Sequence, residues 1–375
     1  MLKSSDNDLS ILRLLLSVNE TSAPYNQFTL AWPSRRQITL CSYFKAGVAP
    51  PAEVVLLEGN GSLPRFLYNI RTALTEKQYD IVHVHAPLLG PIFLVLEIFT
   101  PKAFISATVL TVHNSYGSYK LRDKLMFIPA FAFFERVVCC GRQCYESFPA
   151  FFKWLAGKRL CVVQNGMDIN RVDDVIKNTE DPIRNDRFTI SSVGRLIDIK
   201  NPISILKAFK RVDDPASRLV FIGKGNLHAL LSTQIQESGL EDRVRLTGLM
   251  PREAVYKQLL RSDLFISASR GEGLPIAALE AMACGCPVVL SDIPPHREIA
   301  AGTDVISLIE PDDIAGYTRE IIRFKCMPLA ERKEIAKKCR RLVEERFSLT
   351  SMHRGYEGIF QELIRNRSMR LRKQW

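Results

Sequence analysis

The residues best equipped for chemistry lie in ISASRGEGLPIAALEAMACGCPVVL, the stretch from Ile266 to Leu290. Glu272 stands between Gly271 and Gly273, and Glu280 follows after seven intervening residues. The flanking apolar runs read as a buried strand ending near Ala268 and a second one starting at Pro287. Between them Pro275 opens a short helix, since proline at the first helical turn loses no hydrogen bond. A helix entered from a glycine-bearing loop turns free N–H groups and the positive end of its dipole toward the loop, which favours an anion there. The glycines let a bound group approach the backbone closely. Ionised carboxylates accept hydrogen bonds but donate none, so Glu272 and Glu280 beside an anion need hydroxyl partners. A sugar carried on a nucleotide diphosphate offers both anion and hydroxyls; the plainer alternative is two solvated charges near a helix start.

Other candidates sit where strands must place them. FTISSVGRLIDIKNPISILKAF reads as a strand, a turn at Gly194, and a helix entered through Asn201 as cap and Pro202 at the first position. Arg195 and Lys200 converge on that turn, and paired cations suit a leaving diphosphate whose negative charge grows as its bond breaks. RLVFIGKGNL gives a strand and a turn with Gly223 and Gly225, without the six-residue dinucleotide fingerprint or a P-loop ending. VRLTGLMPREAVYKQL gives a strand, Gly248 and Leu249, then a helix. In the first half, YDIVHVH places His83 and His85 two apart on one side of a buried strand, both read as structural, and the strand ATVLTV ends in His113.

The Glu272-x7-Glu280 pattern within EGLPIAALEAMACGCPVV resembles the signature of the retaining glycosyltransferases of family 4. The resemblance extends from about Tyr79 to Phe360, through DIVHVH and the Asn165, Gly166, Asp168 ending of VVQNGMD, and is strongest from Ser191 to Glu298. It implies an α/β chain of the GT-B kind, two Rossmann-like doubly wound domains facing a central cleft. It also implies roles. Arg195 and Lys200 grip the pyrophosphate beside Gly194, the Gly223 turn lies near the nucleotide, and backbone groups of Gly248 and Leu249 hold the base. Glu272, Gly273 and Leu274 hold the sugar, Glu280 takes ribose hydroxyls, and His113 stands near the reacting carbon. The implied donor is a nucleotide sugar, uridine-linked by default, and the acceptor a hydroxyl of a glycan or lipid-linked saccharide in polysaccharide synthesis. No cofactor or metal is implied, and no Asp-x-Asp motif lies near the donor residues. The chain departs from the family in lacking a Gly-Gly pair in its first loop, NETSAPYNQ, and in carrying Gly141 where a serine is usual.

The expected organisation is a first domain over 1–170, a second over 171–347, and a helix from Ser348 to Arg365 that crosses back to the first domain, with the basic tail RNRSMRLRKQW beyond it. A chain of 375 residues suits two domains. Its net charge of +11 comes without arginine-rich runs interleaved with aromatics, which speaks against nucleic acid and for phosphates and anionic membrane. Nine cysteines in apolar settings suit a reducing, cytoplasmic location, with peripheral contact on the inner membrane face. Cys139, Cys140 and Cys144 lack a second ligand pair for zinc. The apolar runs, ILRLLLSV and GPIFLVLEIF among them, are too short to span a bilayer. The stretch SYKLRDKLMFIPAFAFFE is either a buried helix or a membrane-interface face rimmed by Lys120, Arg122 and Lys124. After Leu290 SDIPPHREI reads as a loop that brings His296 and Glu298 to the same sheet edge as the donor loop. Rival functions are a sugar-nucleotide epimerase or hydrolase of the same fold and a non-catalytic nucleotide-sugar-binding module. The missing glycine fingerprint disfavours a nicotinamide oxidoreductase.

Overall fold

Short runs of branched apolar residues, hydrophobic on both faces, need cover on both faces, and a parallel sheet between helix layers provides it. The computed structural model describes residues 9–20, 22–32, 37–100, 106–179, 187–273 and 275–373, with side chains to 369. The chain divides into two compact units, Met1–Gly166 with Leu349–Trp375, and Met167–Ser348.

In the first unit, β1 (Ile11–Leu15), β2 (Ile38–Ser42), β3 (Val55–Glu58), β4 (Ile81–Val84), β5 (Ala107–Val112), β6 (Arg136–Cys139) and β7 (Leu160–Val162) form a seven-stranded sheet in the order β3-β2-β1-β4-β5-β6-β7. All its pairings are parallel, with Ile11 set against both Ile38 and Ile81. One face buries Phe66, Phe93, Phe127, Phe131 and Phe152 beneath helices, and the other packs Phe28, Trp32, Met352, Tyr356 and Phe360. The second unit repeats the plan. Its strands β8 (Thr189–Val193), β9 (Arg218–Ile222), β10 (Val244–Leu246), β11 (Leu264–Ser267), β12 (Val288–Ser291) and β13 (Ser307–Ile309) run parallel in the order β10-β9-β8-β11-β12-β13. In each sheet the first strand lies between its second and fourth in chain order. There the crossovers leave in opposite directions, and open α/β sheets bind ligands at the carboxyl ends of the strands flanking that point. The switch lies between β1 and β4 in one unit, and between β8 and β11 in the other.

Four local readings are corrected. NETSAPYNQ is not simply a loop: Ser22 caps a helical turn, Ala23–Tyr25, that runs into a π-helical segment, Asn26–Leu30, and buries Tyr25 and Phe28. SDIPPHREI contains a helix, Pro294–Ala300, with proline in its first turn. The last helix runs over Leu349–Lys373, through most of the basic tail, and anchors in the first unit by Met352, Tyr356 and Phe360. Asn201 stands before Pro202–Lys210 but does not cap it. Its backbone is left-handed (φ 50°), and its side-chain amide donates instead to Pro311 O at 2.8 Å. Among the described residues no His, Cys, Asp and Glu cluster could hold a metal ion, all nine cysteines are free, and no helix is long and apolar enough to cross a membrane.

Candidate active site

The second unit gathers its candidate residues along the carboxyl edge of its sheet, and backbone turns build the floor. After β8 the Gly194 N–H donates to Ile222 O (2.9 Å), and the Leu196 N–H donates to Lys224 O (2.9 Å). After β9 the Gly223 N–H donates to Gly248 O (2.8 Å), which joins the turn following β10. These crossings are close enough to demand glycine. A Cβ on Gly223, where φ is +143°, would sit 1.9 Å from Gly194 O, and one on Gly225 would sit 2.1 Å from Leu196 O. Gly248 has φ of +71°, and Leu249 beside it is exposed.

Across the switch point, the β8 turn meets the β11 loop. The Lys200 side chain passes Gly194, its Cδ 3.9 Å from where a Cβ would lie, and its Nζ stands 2.5 Å from both carboxylate oxygens of Glu272. Glu272 Oε1 also accepts from Ser269 Oγ at 2.7 Å. Ser291 Oγ, at the end of β12, donates to Ser269 O (2.6 Å), and His296 Nδ1 lies 2.9 Å from Ser291 Oγ and 2.8 Å from Ser291 O. A carbonyl only accepts, so His296 carries its proton on Nδ1. The ring is wholly buried, and burial, opposed by the Glu272 charge, brings its pKa down to about 4, so it is neutral at physiological pH. Lys200, Glu272, Ser269, Ser291 and His296 thus form one polar chain beneath the loop. The short serines were missed in the sequence; their signal is a small hydroxyl residue at or just past the ends of two adjacent buried strands.

Arg195 is exposed on the β8 turn, whereas Lys200 turns toward Glu272, so the two cations leave one turn without sharing a partner. Arg270 ties the loop down. Its N–H donates to Ile199 O (2.8 Å), and its guanidinium binds Asp198 O (2.8 Å) and Asp312 (2.6 Å). Gly273 is buried beside Glu272, and Leu274 lies outside the described residues. Pro275 occupies the cap position of helix Ile276–Ala283 and makes no side-chain cap bond.

Glu280, on that helix, is almost fully buried, and its Oε1 is clasped by the Arg252 guanidinium and by the Tyr256 hydroxyl at 3.3 Å. Burial pushes its pKa up, and the Arg252 charge acts against that shift. The carboxylate read from the sequence as a ribose ligand is therefore already held on one oxygen by two side chains. Arg252 and Tyr256 lie four apart in PREAVY, on one face of the helix after Gly248, a spacing that could have flagged them.

His113 belongs to the first unit, just past β5. Its Nε2 lies 3.1 Å from His85 Nδ1, and the rings are 5.3 Å apart. Burial lowers its pKa to about 4, leaving a neutral imidazole. His83 Nε2 bonds Thr111 Oγ1 (2.8 Å), which meets the Tyr356 hydroxyl at 2.9 Å. Phe28 packs on this group, 4.7 Å from the His85 ring and 4.8 Å from Tyr356. Both His83 and His85 are buried in the fabric of the unit.

Comparison with known proteins agrees with this architecture. A family model described as Glycosyl transferases group 1 matches residues 176–342, and one described as Glycosyltransferase Family 4 matches residues 28–171. The chain belongs to the family-4-like glycosyltransferases, enzymes of the GT-B fold. It is 25% identical over 324 residues, 80% of each chain, to the Escherichia coli UDP-Gal:alpha-D-GlcNAc-diphosphoundecaprenol alpha-1,3-galactosyltransferase. It is 32% identical over 168 residues, 44% of this chain and 43% of the other, to the Xanthomonas campestris GDP-mannose:cellobiosyl-diphosphopolyprenol alpha-mannosyltransferase. Among solved structures, Anabaena Alr3699/HepE in complex with UDP-glucose superposes with a TM-score of 0.76 at 18% identity, over 94% of this chain and all of that one.

Proposed function

We propose that this enzyme transfers a sugar from a nucleotide diphosphate to a hydroxyl of a lipid-linked saccharide, with retention at the anomeric carbon, in the assembly of a cell-surface polysaccharide. The observation that carries the reading is the Lys200–Glu272 pair set across the β8/β11 switch point, above a floor of glycine turns. A bound donor would part the pair: Lys200, with Arg195, compensates the diphosphate, and Glu272 accepts hydrogen bonds from sugar hydroxyls. The start of helix Ile276–Ala283 adds a positive dipole end where leaving-group charge develops. The backbone of Gly248 and Leu249 receives the base, and the free side of Glu280 receives the ribose. His113, neutral and half-buried, serves the acceptor side. No carboxylate in the motif is placed as a covalent nucleophile, so the incoming hydroxyl attacks on the face the diphosphate leaves, giving its proton to the departing oxygen.

The two relatives named above support the acceptor class, since both act on saccharides joined to a polyprenol through a diphosphate. They divide on the nucleotide. Uridine is the reading here, in line with the relative aligned over more of the chain. The cations and helix end take the place a metal would occupy, so transfer should proceed unchanged in EDTA.

The test offers labelled nucleotide sugars to the purified protein with polyprenol-diphosphate saccharides in vesicles, and a donor-only control beside them. Label in the lipid fraction with the donor's anomeric configuration is the expected result. Free sugar or a new epimer without acceptor would make it a hydrolase or epimerase, and donor binding without turnover would make it a binding module.

A further inference from the structure

We propose that the outer face of three helices in the first unit is a membrane-contact surface that rests on an anionic lipid bilayer without crossing it. The proposal deepens the lipid-linked-acceptor reading and rests on it for the choice of a bilayer as occupant. The helices are Leu89–Ile98, Leu121–Phe133 and Ala150–Ala156; the middle one neighbours both others, and all three cover one face of the seven-stranded sheet. Each buries an apolar stripe inward: Phe93, then Phe127 with Phe131, then Phe152.

Each also carries a second apolar stripe at helical spacing that stays exposed among the described residues. Leu121, Leu125 and Ile128 recur at i, i+4 and i+7 and are all exposed, Leu121 to 72%. Val95 and Ile98 continue into Phe99, which is 71% exposed, and the rings of Phe151 and Trp154, the latter 76% exposed, lie 6.2 Å apart and tilted. A single exposed leucine means little, but three such stripes on neighbouring helices exceed what a soluble surface ordinarily shows. A water-facing helix in this fold needs one apolar face, not two.

The charge around the stripes selects the occupant. Lys120, Arg122 and Lys124 cluster at the start of the middle helix, and Lys153 and Lys158 lie on or just past the third. The acids on these elements are neutralised locally: Asp123 pairs with Arg122 at 3.1 Å, and Glu146, just before the third helix, pairs with Lys153 at 2.9 Å. Glu97 is driven toward neutrality, its pKa raised to about 7 mainly by burial. Aromatic and aliphatic tips ringed by lysine and arginine suit the interface of an anionic bilayer, where apolar tips enter the headgroup boundary and cations remain with the phosphates.

Flotation of the full chain tests this, with vesicles of phosphatidylethanolamine containing roughly one phosphatidylglycerol in four and with phosphatidylcholine alone. The wild type should float with the anionic vesicles. Partitioning should fall about tenfold or more in the Phe99→Ser, Leu125→Ser, Trp154→Ser triple variant, and several-fold in Lys120→Glu with Arg122→Glu. Circular dichroism and the melting shift with donor confirm that both variants fold. Wild type that stays down with both vesicles, or a triple variant that floats like it, overturns the proposal. So does a wild-type dimer that the triple substitution splits into monomers, since a second copy would then cover the face. Transfer to a detergent-free, water-soluble acceptor should be unchanged in the triple variant. If no acceptor is ever glycosylated while flotation behaves as stated, the catalytic reading fails and the surface stands.

Discussion

The two units share a strand order up to their sixth strand but treat their switch points in opposite ways. Beside β1 and β4, side chains fill the space: Phe28 packs on three histidines and Tyr356, and the Arg13 guanidinium, fully buried in β1, lies 4.9 Å from the Trp32 ring. Beside β8 and β11, backbone turns form the floor, and the side chains that enter are a lysine and a glutamate. One edge is filled by aromatic packing that leaves His113 half-buried, and the other stays a polar surface on glycine. The same topology therefore supplies one edge where large side chains pack and another where glycine keeps them out.

Turnover should depend on the polar edge, and stability on the aromatic one. Lys200→Ala should lower kcat/KM by about 100- to 1000-fold, the loss of one transition-state charge contact, measured in steady-state transfer of a folded protein. At the aromatic edge the large effect should fall on stability: Phe28→Ala empties a buried site and should cost about 3 kcal/mol in denaturant unfolding, while donor affinity of the remaining folded protein stays near wild type. Gly223→Ala should do both, costing about 2 kcal/mol or more and weakening donor binding, because its Cβ would fall 1.9 Å from Gly194 O.

A pH experiment sharpens the role of the buried imidazole. His296 has a folded pKa of about 4 against an ordinary 6.5, so on acidification the unfolded chain takes up the proton first. Its contribution is complete above about pH 6.5 and is lost as pH falls toward 4, about 2 kcal/mol of it between pH 7 and 5. Melting midpoints at those two pH values should separate more in the wild type than in His296→Gln. The smallest effect is expected at the Glu280 clasp. Tyr256→Phe removes one hydrogen bond worth about 1 kcal/mol and should raise the donor KM several-fold with kcat little changed.

Much of the polar edge was legible because its parts are local. Gly194, Gly223 and Gly248 each follow a short apolar run, and Glu272 with Pro275 announces a loop entering a helix. What could not be read depended on partners far along the chain. Asn201 looks like a helix cap beside Pro202, yet its amide is taken by Pro311, and that distant carbonyl overrides the local preference. Arg13 interrupts ILRLL as a surface charge would, but the aromatic rings that enclose it come from the segment after β1. Pro294 and Pro295 suggested a loop, although proline at a helix start is favourable, and the buried His296 and Ile299 settle the helix. Glu280 was recognisable by spacing, while the Arg252 and Tyr256 that hold it sit 28 and 24 residues away.

The central claim is that the Lys200–Glu272 pair across the β8/β11 switch point is where a nucleotide sugar binds. Isothermal titration of uridine and guanosine diphosphate sugars into wild type and Lys200→Ala measures it most directly. Wild type should bind a uridine diphosphate sugar saturably, and the variant at least about tenfold more weakly. Equal affinity in the two proteins would contradict it.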